Sequence, residues 1–161
     1  MFILIVGAPA CRTTRLADGV PNLAVVDDGI YRSGQPLPDG WKYLAAMGIT
    51  NVIKLNPENE SSDAPTLAMG MTVYHQPVSW QQLLFGPVNA RQFQGVVEKI
   101  KPGTLIHCQH GQDRTGLATA MYRVQSCGWT KQKAEAEMLA NGFHKELLGL
   151  WHCWQTYQPS P

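Results

Sequence analysis

One stretch constrains the architecture more than any other. Thr104-Leu105-Ile106 is a short run ending in an apolar pair, His107 to Gly116 is polar and carries two glycines, and Leu117-Ala118-Thr119-Ala120-Met121-Tyr122-Arg123-Val124 favours a helix. A buried strand that passes through a tight loop into a helix is the building unit of a parallel sheet, because parallel neighbours need a crossover connection. Such a loop lies at the carboxyl edge of the sheet, where open α/β sheets hold ligands.

The rest of the chain agrees with this unit. Val25-Val26 and Ile30-Tyr31-Arg32 flank the turn signal Asp27-Asp28-Gly29 and read as short strands. Pro38-Asp39-Gly40 opens a helical pattern with Trp41, Leu44, Ala45 and Met47 apolar, stopped at Gly48. Residues 49–55 and 71–75 read as strands, 56–65 as a loop, and 66–69 as a short helix. Residues 78–87, aromatic and glutamine-rich, read as a loop over the site. Asn89 is placed to cap a helix over 90–100 and Thr130 one ending at Asn141-Gly142, and residues 145–157 suggest a last helix. Strands alternating with helices predict an α/β fold: a central, mostly parallel β-sheet flanked by helices.

At 161 residues the chain suits one domain, here assigned to residues 23–161. Its 13 basic and 12 acidic side chains nearly balance, which speaks against nucleic acid or an anionic membrane as partner. Residues 1–22 form a separate N-terminal segment. Met1 to Val6 is apolar and is followed by Gly7-Ala8-Pro9-Ala10-Cys11. Two readings stand: the remnant of an export signal starting upstream, or an apolar segment packed on the domain. They imply a cell-envelope or periplasmic location and a cytoplasmic one respectively. No other stretch has the length of a membrane span.

The chemistry concentrates in the loop. Cys108 stands six positions before Arg114. Gly111 and Gly116 let the backbone curl, so that the N–H groups of Gln109, His110, Gly111, Gln112 and Asp113 form an anion nest. The helix starting near Thr115 adds its positive end, and Arg114 offers a planar fork for two oxygens. The same features stabilise a thiolate at Cys108. A thiolate facing a bound tetrahedral anion points to attack on phosphorus and a cysteinyl-phosphate intermediate. Thr115 is placed to hydrogen-bond the sulfur as it leaves. No C-x-x-C pair or His cluster has metal spacing, so neither a metal nor a cofactor is expected. Cys127 and Cys153 read as buried small hydrophobes.

His107-Cys108-x-x-Gly111-x-x-Arg114-Thr115-Gly116 resembles the HCxxGxxRTG signature of the cysteine-dependent protein tyrosine phosphatase superfamily, in its compact dual-specificity form. Tyr31-Arg32-Ser33-Gly34-Gln35-Pro36 is similar to the YRSGQP segment of many bacterial members, and Thr50-Asn51-Val52-Ile53-Lys54-Leu55 to their T-x-V-I-x-L strand. The resemblance spans about residues 25–145. It implies hydrolysis of phosphate monoesters, with a phosphoprotein or an inositol phosphate as the phosphorylated partner. The inositol alternative covers both phytase-like and phosphoinositide activity. It is weakened because His110 and Arg114 are the loop's only candidate cations.

One departure matters. Members of the superfamily usually carry an aspartate general acid some thirty residues before the cysteine, whereas residues 76–86 contain no acid. Asp113 is the first candidate to replace it, at a position where the myotubularin relatives have an aspartate; a helix-start carboxylate or salt bridge is its alternative role. Asp63, Glu58 and Glu60 follow as candidates. The missing acid also opens the reading of a non-catalytic phosphate-binding pseudophosphatase, which the intact Cys108, Arg114 and Thr115 oppose. A rhodanese-like sulfurtransferase is disfavoured by His107 and by Arg114-Thr115-Gly116.

Overall fold

A computed structural model describes residues 19–159 of the chain. Residues 1–18, which include Cys11 and most of the segment considered for export, lie outside the described residues. The elements follow in the order β1 (Ala24–Asp27), β2 (Ile30–Ser33), α1 (Pro38–Ala46), β3 (Asn51–Lys54), α2 (Ala64–Ala68), β4 (Thr72–His75), α3 (Trp80–Leu84), α4 (Ala90–Val97), β5 (Thr104–His107), α5 (Asp113–Gln125), α6 (Lys131–Ala140) and α7 (Leu148–Thr156). The five strands form one sheet in the order β1-β2-β5-β3-β4. β1 runs antiparallel to β2 and every other pairing is parallel.

β5 is the innermost strand, and all four of its residues are buried. Its apolar pair is explained by a sheet covered on both faces. Successive strand residues point to opposite faces. Leu105 and its β3 partner Val52 therefore enter the cluster with Trp41 and Leu44 of α1. Ile106 and its partner Ile53 enter the larger cluster with Phe93 of α4, Leu117 and Met121 of α5, Met138 of α6 and Trp154 of α7. One strand thus ties two cores together and carries Cys108 at its carboxyl end. Among the described residues no helix is long and apolar enough to cross a membrane.

The expected caps form. Asn89 Oδ1 accepts from Arg91 N at 2.9 Å and Thr130 Oγ1 accepts from Lys133 N at 3.2 Å. The segment 78–87, expected to be loop throughout, instead contains α3. Ser79 Oγ accepts from Gln82 N and Gln82 Oε1 accepts from Ser79 N, a reciprocal capping box that nucleates a single helical turn. The last helix begins at Leu148 rather than residue 145.

α3 is held by α7 through a backbone-to-backbone approach. A Cβ at Gly149 would lie 1.8 Å from Gln82 O and 2.8 Å from Gly86 O. Gly149→Ala forces the two elements apart. The variant should lose about 1–3 kcal/mol, read as a lowered denaturant midpoint, and wild-type stability in it would show that the approach is looser than described.

Candidate active site

The loop between β5 and α5 is shaped by what its carbonyls touch. Leu55 N donates to His107 O at 3.0 Å and Gln35 N to Gln109 O at 3.1 Å. Asn22 Nδ2 donates to His110 O at 2.8 Å, and the buried Arg32 donates through Nη2 to Gly111 O at 2.7 Å. In a trans peptide the C=O and the following N–H point in opposite directions. The last three carbonyls, fixed outward, therefore turn the N–H groups of His110, Gly111 and Gln112 inward. Gly111 N donates to Cys108 Sγ at 3.3 Å, which shows that direction for one of them. The inward amides form an anion-binding concavity with Cys108 at its base.

The curl requires glycine at 111. Its φ is +76°, and an added Cβ would lie 2.4 Å from both Gly34 N and Ser33 C. Gly34 is equally constrained from the other side, with His110 C and O each 3.1 Å from its own Cβ position. The segment Ser33-Gly34-Gln35 is thus the bed on which the loop lies. Among the described residues no side chain caps the start of α5, which leaves the positive end of the helix beside the loop without a capping acceptor.

Arg114 is buried beside this opening. Its Nη1 and Nη2 donate to Glu60 Oε2 and Oε1 at 2.9 and 2.7 Å, and the Trp80 ring lies 5.7 Å from its guanidinium carbon. Glu60 takes one edge of the guanidinium. Nε, on the other edge, is buried without a hydrogen-bond partner among the described residues. Arg114 is therefore held in place while an Nε/Nη edge stays available for a second oxyanion. Thr115 Oγ1 is also buried and unpartnered among the described residues.

A charged network lies behind the loop, on the α1 face of the sheet. His107 and Lys54 are cross-strand partners, and Asp63 bridges them. Asp63 Oδ2 meets His107 Nε2 at 2.7 Å, and Asp63 Oδ1 meets Gln35 Nε2 at 2.8 Å and Lys54 Nζ at 3.6 Å. Lys54 Nζ also donates to Ser61 O and pairs with Glu58 Oε1 at 3.2 Å. Burial works to raise the Asp63 pKa, but the hydrogen bond and charge of His107, with Gln35 and Lys54, hold it below the usual carboxylate value. The loop 56–63 thereby anchors both His107 and Arg114. The three acids it carries are each paired with a cation, Glu58 and Asp63 with Lys54 and Glu60 with Arg114.

On the opposite rim, Asp113 Oδ1 accepts from His144 N at 2.8 Å and faces His144 Nδ1 at 3.0 Å, with Oδ2 at 3.2 Å from the same nitrogen. Gln109 Oε1 accepts from Ser61 Oγ at 3.2 Å, Gln112 packs beneath Gly142, and the His110 side chain is exposed. Burial pushes the Cys153 thiol up to about 11, and burial with the neighbouring Asp27 raises that of Cys127, which is half-buried rather than fully enclosed. Neither is a neutral-pH thiolate.

The structure thus brings Cys108, Asp113, Arg114 and Thr115 to one concavity. It adds partners with weaker signals in the chain. Arg32 and Gln35 were visible within the YRSGQP segment, but their contacts to the loop carbonyl and to Asp63 were not. Asn22, which adopts φ +52°, carries no local signature. His144 stands 31 residues from Asp113, with no spacing rule to connect them.

A profile described as "Tyrosine phosphatase family" matches residues 19–140. The dual specificity protein phosphatase TpbA of Pseudomonas aeruginosa is 31% identical over 128 residues, covering 78% of this chain and 56% of the relative. Inositol diphosphatase DSP3 of Arabidopsis thaliana is 29% identical over 115 residues, covering 65% of this chain and 55% of the relative. The chain spans about half the length of these curated relatives. The crystal structure of P. aeruginosa TpbA superposes with a TM-score of 0.74 at 24% identity, covering 94% and 92% of the two chains. The catalytic core of Siw14 gives 0.73 at 21% identity over 89% of each. At these identities the superpositions show a shared fold.

The depressed Asp63 pKa has a stability consequence. A carboxylate with a native pKa below its unfolded value contributes stability above the unfolded pKa and loses it as the pH falls through the native one. Asp63→Asn should therefore be clearly less stable than wild type at pH 7, with the gap narrowing below about pH 4. Denaturant midpoints at pH 7 and pH 3 measure it; a gap independent of pH would remove the charge network from the account.

Proposed function

The chain belongs to the tyrosine phosphatase family, and we propose that it hydrolyses phosphate monoesters through a cysteinyl-phosphate intermediate, as a dual-specificity-type phosphatase. The observation that carries this reading is the cysteine sulfur at the base of a cradle of inward amides, with Gly111 N donating to it and a preset guanidinium beside it. A merely structural cysteine has no use for such surroundings.

The geometry supports the following steps. The substrate's phosphoryl oxygens occupy the inward amides of His110, Gly111 and Gln112 and the Nε/Nη edge of Arg114. The Cys108 thiolate attacks phosphorus, a P–S bond forms, the ester P–O bond breaks, and the leaving oxygen takes a proton from the Asp113 rim. Water then attacks the phosphocysteine. The P–S bond breaks, inorganic phosphate forms, and the Thr115 hydroxyl donates a hydrogen bond to the departing sulfur. Amides and guanidinium face the charge that spreads over the equatorial oxygens, so they serve both steps.

The substrate class is argued from charge. Among residues 109–113 there is no Lys or Arg, and the formal net charge of the chain is +1. A single phosphate on a neutral or aromatic carrier suits this loop better than a polyanion. TpbA is named a dual specificity protein phosphatase, and one TpbA structure holds phosphotyrosine. A second reading, inositol phosphates, draws support from relatives named inositol diphosphatases.

The test is a substrate series of phosphotyrosyl and phosphoseryl peptides, phosphoinositides and inositol polyphosphates, with wild type and Cys108→Ser. The expected result is a burst of product from an aryl phosphate, abolished in Cys108→Ser, and kcat/KM highest for a phosphopeptide. Highest kcat/KM for an inositol polyphosphate would replace the phosphoprotein reading. Phosphate binding without turnover in the wild type would make the chain a binding module.

A further inference from the structure

The segment joining α6 to α7 is built onto the signature loop at three points. A Cβ at Gly142 would lie 2.6 Å from Gln112 Nε2, so the turn backs directly onto that side chain. Phe143 is buried, with its Cδ2 3.5 Å from the Cβ position of Gly116. His144 then engages Asp113 through both its backbone N–H and its ring. The imidazole is thus positioned by the residues that make the cradle, although it lies 36 positions from Cys108 in the chain.

Its protonation geometry is defined. A carboxylate only accepts hydrogen bonds, so the Nδ1 facing both Asp113 oxygens carries the hydrogen. Nε2 then lies on the opposite edge of the ring. The His144 side chain is 58% exposed while Asp113 is 17% exposed, so the ring stands at the rim and its carboxylate partner lies below it. An imidazole oriented by a carboxylate through Nδ1, with Nε2 left to exchange a proton, is a general acid–base arrangement. Residues 76–86 hold no acid to do this work.

We propose that His144 is the proton donor to the leaving group, with Asp113 as its positioning residue. This rests on the phosphatase reading above. In the first step the Nε2–H of the imidazolium passes its proton to the ester oxygen as the P–O bond breaks and the P–S bond forms; neutral imidazole remains, protonated on Nδ1. In the second step Nε2 takes a proton from the attacking water, which restores the imidazolium as the P–S bond breaks. Asp113 of α5 is the charged group in contact with the ring. Lys145, next in the chain, is turned towards Glu135 of α6 at 3.8 Å and the Trp151 ring of α7 at 4.5 Å, and Glu146 follows on the same segment.

The test compares an aryl phosphate with a good leaving group, p-nitrophenyl phosphate, and a poor one, phenyl phosphate, using wild type, Cys108→Ser, His144→Gln, His144→Ala and Asp113→Asn. His144→Gln should lose about 10²-fold or more in kcat on phenyl phosphate beyond any loss on p-nitrophenyl phosphate. Wild-type kcat on the poor substrate should fall on the alkaline side of its pH profile, and this limb should vanish in His144→Gln. Added imidazole should restore turnover to His144→Ala, which a packing role would not allow. Asp113→Asn should show the same leaving-group bias. Equal losses on both substrates, with no rescue, would overturn the assignment while leaving Cys108 chemistry intact. Wild type no more active than Cys108→Ser would overturn both.

Discussion

The site depends on where four carbonyl oxygens are held. Backbone peptides have no preference for turning their N–H groups towards one point; a ring of like dipoles repels itself. Here Leu55, Gln35, Asn22 and Arg32 each take a carbonyl of the stretch 107–111 from outside. The first anchors the loop to β3, and the amides that follow the other three turn inward as the consequence. The cost of converging them is met by the fold before any anion arrives, which is what makes such a nest preorganised rather than induced. The donors come from before β1, from β2 and its following turn, and from the end of β3, so the nest is a product of the sheet rather than of its own ten residues.

The same sheet separates two kinds of work. On the α1 face, His107, Asp63 and Lys54 form a buried network that reaches the loop only through Gln35 and Ser61 among the described partners, with the Trp41 ring edge-on to His107 at 5.7 Å between centroids. On the other face, α5 and α6 bury apolar surface, and the first turn of α5 carries Arg114. The loop 56–63 connects the two, because it supplies Asp63 to His107 and Glu60 to Arg114. Removing one partner of a buried charge pair leaves the other uncompensated, so this loop is tied to the site by energy as well as by position.

Much of this was legible in the chain, for local reasons. β3 and β5 each carry an adjacent apolar pair, one residue for each core, and Asn89 and Thr130 announce the helices they cap. Cys108 and Arg114 are readable because their spacing is itself the geometry. α3 escaped because five residues give no helical period, although Ser79 and Gln82 spell its capping box. The pairings Arg114–Glu60 and Asp113–His144 join residues 54 and 31 positions apart. No local rule connects such positions; only the parallel topology, which returns distant segments to one edge of the sheet, sets them side by side. Asp113 could be named from its place in the loop, but the ring that it orients could not.

The contact between Gly111 and the Ser33-Gly34 peptide carries a lesson for anyone wishing to reshape this opening. Neither backbone leaves room for a methyl group on the other, so the two segments form one interlocked object despite lying some eighty residues apart. Diversifying the loop alone at Gly111 would fill a library with chains unable to seat it, whereas grafting the loop together with its underlying strand turn would transplant the whole cradle as a module.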